Sequence, residues 1–124
     1  MRILVVCLFL LSSLLAGTQP SFAHASLAIA SPGISNVTHV SPVQVRLTFD
    51  EDLIAIGNAN QIVVKSQSGQ VVSKSKTFVT GSTAAVLLAK LKVFGKYKVN
   101  YRIVSADGHI VSSSYFFYYQ KKSN

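Results

Sequence analysis

Two segments of the chain alternate hydrophobic and polar residues with a period of two. The first covers residues 43–49, and its hydrophobic positions are Val43, Val45, Leu47 and Phe49. The second covers residues 97–103, and its hydrophobic positions are Tyr97, Val99, Tyr101 and Ile103. Because successive side chains of a strand point to opposite faces of a sheet, each segment predicts a half-buried β-strand.

Five shorter segments also have the composition of strands, and turn residues separate them. They are residues 26–30, 61–66, 71–76, 84–88 and 113–119. The sequences Ser68-Gly69 and Thr80-Gly81-Ser82 are typical of hairpin turns. About seven strands at short spacing, without a long segment of helical periodicity, predict an all-β protein built as an antiparallel sandwich of two sheets.

Aromatic residues raise two questions about this sandwich. Tyr97 begins the most regular strand and resembles the tyrosine corner of Greek-key sandwiches, in which the hydroxyl bonds to the backbone of a loop. An ordinary core tyrosine is the alternative. Residues 115–119 are all aromatic, so their rings must fall on both faces of the last strand. One face is core, and the other is either covered or an adhesive edge.

The first 23 residues have the pattern of a secretory signal peptide. Arg2 precedes an apolar run from Ile3 to Leu11, and Ser21-Phe22-Ala23 puts small residues where signal peptidase requires them. We expect cleavage after Ala23, which leaves one domain over residues 24–124. An uncleaved membrane anchor is the alternative, although the run is short of the roughly 20 residues that span a bilayer. Export predicts a periplasmic protein, or an extracellular one where there is no outer membrane.

Composition restricts the chemistry of the exported domain. With 49% hydrophobic and 13% charged residues, the chain is not of the disordered class. Its one Cys and its one Met lie within the predicted leader, so residues 24–124 contain neither. This excludes an internal disulfide, an iron–sulfur cluster and a dedicated thioether site for Cu(I). Any metal site must therefore use nitrogen and oxygen donors.

Three histidines remain, and two of them suggest a metal site. His24 becomes the amino terminus on cleavage, so its α-amine and its ring Nδ1 can chelate one metal ion. Cu(II) favours such nitrogen donors in tetragonal geometry. Asp107 and His109 are two residues apart in the sequence Asp107-Gly108-His109, and in an extended segment they share a face. A surface turn is the alternative interpretation of that sequence.

Two further groups are less clear from the sequence. All the acidic residues except Asp107 lie together at Asp50, Glu51 and Asp52. They form either a solvated loop or a segment in which Glu51 lies beside the metal and orients a ligand or a water molecule. His39 stands alone between Thr38 and Val40. We interpret it as a surface or loop-packing histidine, because a lone histidine is seldom a metal ligand.

Taken together, these motifs resemble the CopC family of secreted copper-binding proteins, the CopC/YobA-like copper-resistance domain. The resemblance covers residues 24–119. It is carried by His24-Ala25, by Val45-Arg46-Leu47-Thr48-Phe49 before Glu51, and most specifically by residues 95–109, GKYKVNYRIVSADGH. The family pattern there is G-x-Y-x-V-x-W-R-V-V-S-x-D-x-H. The chain departs from it with Tyr101 in place of Trp, and it lacks the Met-rich segment of some members.

The resemblance implies an immunoglobulin-like Greek-key sandwich that binds Cu(II). Carried over by position, the metal ligands are His24, through its amine and ring, Asp107 and His109. Glu51 matches a family glutamate near the site. The family also implies copper sequestration or resistance, or delivery to a membrane copper importer of the CopD type. In that interpretation the protein is not an enzyme.

Two other functions fit parts of the sequence. An amino-terminal histidine with a second histidine is similar to the histidine brace of copper monooxygenases, which would make the protein an oxidative enzyme. Alternatively, Lys90, Lys92, Lys96 and Lys98, in a domain with eleven basic and four acidic residues (+7), favour adhesion to an anionic membrane surface. Nucleic acid is not an expected partner of an exported protein.

Overall fold

The computed structural model describes residues 25–124 as a sandwich of two four-stranded sheets. The predicted leader and His24 lie outside the described residues. The strands are β1 (Leu27–Ser31), β2 (Val37–Thr38), β3 (Gln44–Phe49), β4 (Gln61–Ser66), β5 (Ser73–Thr80), β6 (Thr83–Leu88), β7 (Gly95–Val104) and β8 (Ile110–Tyr119). Among the described residues, no helix is long and apolar enough to cross a membrane.

The order of the strands is that of an immunoglobulin-like domain. One sheet runs β1-β3-β6-β5 and the other β2-β8-β7-β4. These orders correspond to the A-B-E-D and C-F-G sheets of the immunoglobulin fold, with β2 added beside the last strand. All pairings are antiparallel except that of β2 with β8, which is parallel and joins Val37 to Tyr118 and Thr38 to Tyr119. The predicted fold class is confirmed.

All seven predicted strands are present, and the structure adds one. The added strand, β2, has two residues, which are too few to show a periodic pattern in the sequence. The strand predicted from residue 71 begins at Ser73, because Val71 makes only an isolated bridge to Lys65 beside the turn. The predicted turn at Gly81-Ser82 does join β5 and β6 as a hairpin, and Gly81 has the positive φ (56°) that such a turn requires.

The inward faces of the two sheets form one hydrophobic core. The alternating positions of β3 and β7 supply seven of its seventeen buried residues, as their pattern predicted: Val45, Leu47, Phe49, Tyr97, Val99, Tyr101 and Ile103. Val43, which the same pattern placed on the inward face, precedes β3 and is 75% exposed. Phe117 of β8 is fully buried and its ring stacks on that of Tyr97, with centroids 5.5 Å apart.

The aromatic strand is core on one face and covered on the other. Tyr115 and Phe117 are buried, and the Tyr115 hydroxyl donates a hydrogen bond to the Pro32 carbonyl (2.8 Å). Burial raises the pKa of the Tyr115 phenol above its usual range. Phe116 faces outward, but the ammonium of Lys96 lies 4.0 Å from its ring centroid, within cation–π range. The lysine therefore shields the outward ring that the sequence left unassigned.

Tyr97 is a tyrosine corner. Its hydroxyl donates a 2.6 Å hydrogen bond to the carbonyl of Val93, four residues upstream and in the loop that precedes β7. This hydrogen bond fixes the loop by which the chain crosses from one sheet to the other. Burial of the Tyr97 side chain raises the pKa of its phenol. Of the two interpretations of Tyr97, the structure confirms the corner.

The loops gather at two opposite ends of the sandwich. We call one end the site pole: it contains residues 25–26, 50–60, 81–82 and 105–109. The other end, which we call the lysine pole, contains residues 32–43, 67–72 and 89–94 and the chain after Tyr119. The ten residues of β7 join the poles, a distance of about 30 Å at roughly 3.3 Å per residue.

Candidate metal centre

The loop between β7 and β8 is a closed turn that carries Asp107 and His109. The Ser105 amide donates to the His109 carbonyl (2.9 Å), and the Gly108 amide donates to the Ser105 carbonyl (2.8 Å). Gly108 has a φ of 86°, a left-handed conformation that favours glycine. This backbone geometry brings the two predicted ligand side chains to one side of the loop.

Asp107 and His109 are in direct contact. Oδ2 of Asp107 lies 2.8 Å from Nδ1 of His109, and each side chain is 37% exposed. Oδ1 of Asp107 accepts hydrogen bonds from the Ser105 hydroxyl and from the His109 amide (3.1 Å). The Ser105 hydroxyl, followed by the ring and amide of His109, holds the pKa of the Asp107 carboxyl well below its usual range. Asp107 is therefore a carboxylate throughout the neutral pH range.

Ser105 is a contributor whose role the sequence analysis did not identify. Its side chain is fully buried, and its hydroxyl fixes the orientation of the Asp107 carboxylate. The available signal was the position of Ser105 two residues before Asp107 in a conspicuous motif. Only the structure identifies it as the buried partner of that carboxylate.

The acidic segment lies against this loop, as the functional interpretation of the sequence requires. The Ala106 amide donates to the Asp52 carbonyl (2.8 Å), and the Ile54 amide donates to the Val104 carbonyl (2.9 Å). Glu51, at the centre of the segment, is half-buried. The contact that brings the two loops together is therefore made by the backbone of the acidic segment.

The buried side chain of Asn60 joins the same two loops. It is buried, its Nδ2 donates to the Ile54 carbonyl (2.5 Å), and its Oδ1 accepts from the Val104 amide (2.9 Å). A buried asparagine needs such partners. No local pattern predicts this role, because Asn60 and Val104 are 44 positions apart in the chain.

The first described residues are anchored at the same pole. The Asp50 amide donates to the Ser26 carbonyl (3.0 Å), and the Ser26 amide donates to Oδ1 of Asp50 (2.6 Å). Ala25 is buried against the core. The chain that follows His24 is thus tied to the acidic segment, which is tied in turn to the loop of Asp107 and His109.

The described residues supply a pair of candidate ligands but not a complete metal site. Within residues 25–124, no three His, Cys, Asp or Glu side chains are grouped closely enough to hold a metal ion. Asp107 and His109 are brought together, Glu51 joins no such group, and His24 lies outside the described residues. A site of three or four donors would therefore need donors in addition to this pair.

His39 is far from this centre. It is exposed at the lysine pole, where its Nδ1 lies 3.1 Å from the carbonyl oxygen of Gln120. This contact helps to hold the segment after β8. The interpretation of His39 as a loop-packing residue is confirmed.

Comparison with known proteins identifies the family. The sequence profile of the CopC domain matches residues 27–120, most of the chain. This protein belongs to the CopC family. The CopC-like motif at residues 95–109 and the immunoglobulin-like fold agree with that assignment.

Two relatives carry copper-related names. The chain is 28% identical over 103 residues to copper resistance protein C of Xanthomonas campestris pv. juglandis, covering 78% of this chain and 80% of that protein. It is 32% identical over 97 residues to copper transport protein CutJ of Bacillus subtilis (strain 168). That match covers 76% of this chain and 18% of CutJ, so the chain corresponds to a small part of that longer protein.

Solved structures of family members share the fold. CopC from Methylosinus trichosporium OB3b superposes with a TM-score of 0.72 at 26% identity, over 82% of this chain and 98% of that one. PcoC, a methionine-rich copper resistance protein from Escherichia coli, gives a TM-score of 0.64 at 21% identity, over 79% and 100%. The second likeness supports the fold alone. Together with the relatives, family membership places this CopC protein among copper-binding, copper-resistance proteins.

Proposed function

We propose that this CopC protein binds one Cu(II) ion at the site pole and acts as an exported copper carrier. The ligands are the α-amine and ring of His24, the carboxylate of Asp107 and the ring of His109. The observation that carries the proposal is the pairing of Asp107 with His109 beside the anchored amino-terminal segment.

Covalent distance supports the participation of His24. Ser26 is hydrogen-bonded to Asp50, and the carbonyl of Asp52 accepts a hydrogen bond from Ala106, which precedes Asp107. Two residues of chain reach at most about 7 Å, so His24 is tethered within that distance of Ser26. Since residues 25–124 hold no group of three ligands, tight binding depends on the donors that His24 adds.

The contact between Asp107 and His109 puts an oxygen donor and a nitrogen donor side by side. Asp107 Oδ2 and His109 Nδ1 are separated by 2.8 Å. In the His109 tautomer with its proton on Nε2, Nδ1 and the carboxylate oxygen would both offer lone pairs to one ion. Three nitrogens and one oxygen would then fill the tetragonal plane that Cu(II) prefers.

A carrier fits this donor set better than an enzyme. With His24, Asp107 and His109 as ligands, four protein donors would hold the ion and would leave less room for oxygen to bind and be activated. Glu51 remains in our proposal as a neighbour that orients a ligand or water. The role is then sequestration of copper, or its transfer to another protein, without turnover.

The predicted leader implies the compartment in which the protein binds copper. Cleavage after Ala23 would release the exported domain from its leader and create the free amine of His24, so the site would be completed only on export. We propose a periplasmic location and delivery to a membrane copper importer of the CopD type. The match to part of a longer copper transport protein, CutJ, supports transfer as the purpose of binding.

Titration with Cu(II) tests the proposal. The protein is purified from cells that express the full sequence, and its intact mass establishes whether it begins at His24. We expect one tightly bound equivalent and a tetragonal electron paramagnetic resonance spectrum with couplings to nitrogen. The control is the same domain with one extra residue before His24, which converts the amine into an amide and should lose tight binding. Equal affinity of the two forms would exclude the chelate.

The enzyme alternative has its own test. The copper-loaded protein is supplied with a reductant, and oxygen consumption is compared with that of an equal amount of free copper. A carrier consumes no more oxygen than the free ion does. Faster consumption that disappears in the extended form would identify a histidine-brace enzyme.

A further inference from the structure

The acids of the described residues lie at one pole and a group of lysines at the other, although Arg102 also donates to the Ala59 carbonyl at the site pole (2.6 Å). All four acids, Asp50, Glu51, Asp52 and Asp107, lie at the site pole. Among the described residues the lysine pole has no acid, and it holds Lys90 and Lys92 in the loop before β7 and Lys121 and Lys122 after β8, with Lys96 next to it at the start of β7. A surface with this unmixed positive charge attracts an anionic partner.

The same pole exposes hydrophobic side chains between the lysines. Val93 is 64% exposed and Phe94 is 52% exposed, directly between Lys92 and Lys96 in the chain. Val40 and Val43 are exposed on the neighbouring loop, and they line the same shallow depression as Lys90. Lysine and exposed apolar residues are thus mixed on one end of the molecule.

The loop that carries Val93 and Phe94 is held rigidly. Leu91 is buried and acts as an anchor, and its amide donates to the Ser41 hydroxyl (2.8 Å). The carbonyl of Val93 accepts the Tyr97 corner bond, and the Phe94 ring packs on Tyr119 with centroids 4.8 Å apart. The apolar side chains are therefore presented outward by a fixed backbone, so ordering them on a partner costs little conformational entropy.

We propose that the lysine pole docks this protein on an anionic phospholipid membrane. Lysines attract the headgroups, and the short apolar side chains of Val93 and Phe94 enter the interface between headgroups and acyl chains. Charge complementarity selects this partner, because the site pole also exposes apolar residues, Ile56 and Ile110, but carries the acids. The site pole then faces away from the bilayer, about 30 Å from it.

Flotation with lipid vesicles tests this inference, which stands apart from copper binding. The purified protein, with its intact mass checked for loss of the leader, is mixed with vesicles of phosphatidylcholine containing phosphatidylglycerol, or of phosphatidylcholine alone. We expect binding to the first and little to the second. Binding should fall as salt is raised, because the Debye length drops from about 10 Å at 0.1 M to about 3 Å at 1 M.

Two matched pairs of variants locate the surface. K90Q/K92Q should lower partitioning to anionic vesicles on the order of thirty-fold, about fivefold for each lysine. K74Q/K76Q removes the same charge from β5 and should have a much smaller effect. V93S should weaken binding, whereas I56S, at an equally exposed residue of the site pole (68%), should not.

Other outcomes would overturn the inference. Equal binding to neutral vesicles, or equal losses in K90Q/K92Q and K74Q/K76Q, would mean that the lysine pole does not select an anionic membrane. A dimer in solution that V93S dissociates would assign the pole to a second copy of this chain. Cu(II) titration of K90Q/K92Q is measured separately, so a failure here is distinct from a failure of the copper proposal.

Discussion

At the scale of single residues, Ser105 controls the candidate site without being a candidate ligand. It is fully buried, and its hydroxyl holds one oxygen of Asp107 while the other oxygen contacts His109. A partner of this kind orients a ligand and lowers its pKa, and such partners often matter to a metal site nearly as much as the ligands do.

Replacing Ser105 should therefore change the pKa of the Asp107 carboxyl. In S105A the largest cause of the lowered pKa is removed, so the pKa of the Asp107 carboxyl should rise toward its ordinary value of about 3.9, as followed by NMR titration. Affinity for Cu(II) should fall on the order of tenfold. A carboxyl group whose pKa is lower in the folded state than in the unfolded state stabilises the fold above the unfolded pKa. This stabilisation is lost as the pH falls toward the folded pKa. Because the shift is smaller in S105A, this variant should lose less stability than the native protein below pH about 4.

The control for this substitution is S114A, which removes an exposed hydroxyl from the outer face of β8. It should leave both the Asp107 titration and the copper affinity unchanged. An unaltered Asp107 pKa in S105A would mean that the hydroxyl does not hold the carboxylate in solution.

At the scale of elements, β7 and β8 form the frame on which the site is mounted. Ten residue pairs join them, from Gly95 with Tyr119 to Val104 with Ile110, and the ligand loop closes the end of this ladder. At the other end the Tyr97 corner fixes the loop that leads into β7. A five-residue loop on so long a ladder has little freedom to separate Asp107 from His109.

The tyrosine corner should stabilise the fold without affecting copper. Y97F loses one hydrogen bond to the Val93 carbonyl, and the free energy of unfolding in urea should fall by about 1 kcal/mol. Y118F removes a hydroxyl from a half-buried residue of the neighbouring strand and should cost less. Copper affinity should be unchanged in both variants, because both changes are at the lysine pole. An equal loss of stability in Y97F and Y118F would contradict the role of the corner.

At the scale of the whole molecule, the sandwich separates two kinds of chemistry. The site pole gathers the anchored amino-terminal segment, the acidic segment and the ligand loop, whereas the lysine pole gathers lysines and exposed apolar residues. The separation of about 30 Å is several Debye lengths at 0.1 M salt. The two poles can therefore act independently of each other.

Copper bound at the proposed site should stabilise the entire fold. It would join the amino-terminal segment to the loop between β7 and β8, and binding to the folded state alone adds about 2.7 kcal/mol when free copper is 100 times its dissociation constant. The midpoint of thermal unfolding should rise with Cu(II) and return when a chelator removes it. H109A should abolish the rise and H39A should keep it. A rise of equal size in H109A would place the copper elsewhere.

The sequence alone determined much of the fold. Period-two alternation in β3 and β7 defined strands and inward faces, since a strand can bury only alternate side chains, and Gly81-Ser82 defined a hairpin turn. The sequence also placed Asp107 and His109 together in one loop, where they are in contact, and their role as copper ligands remains a prediction. These features are local, so neighbouring residues are enough to specify them. The predicted leader and the role of His24 remain predictions.

Only the tertiary structure decided which distant residues meet. It joined Ser26 to Asp50 and Asp52 to Ala106, placed Ser105 under Asp107, and covered Phe116 with Lys96. It also placed the acids at the end of the sandwich opposite to Lys90, Lys92, Lys121 and Lys122. These contacts depend on how the strands cross between two sheets, and the free energy that selects the crossing comes from the shared core. No single segment of the sequence contains that information.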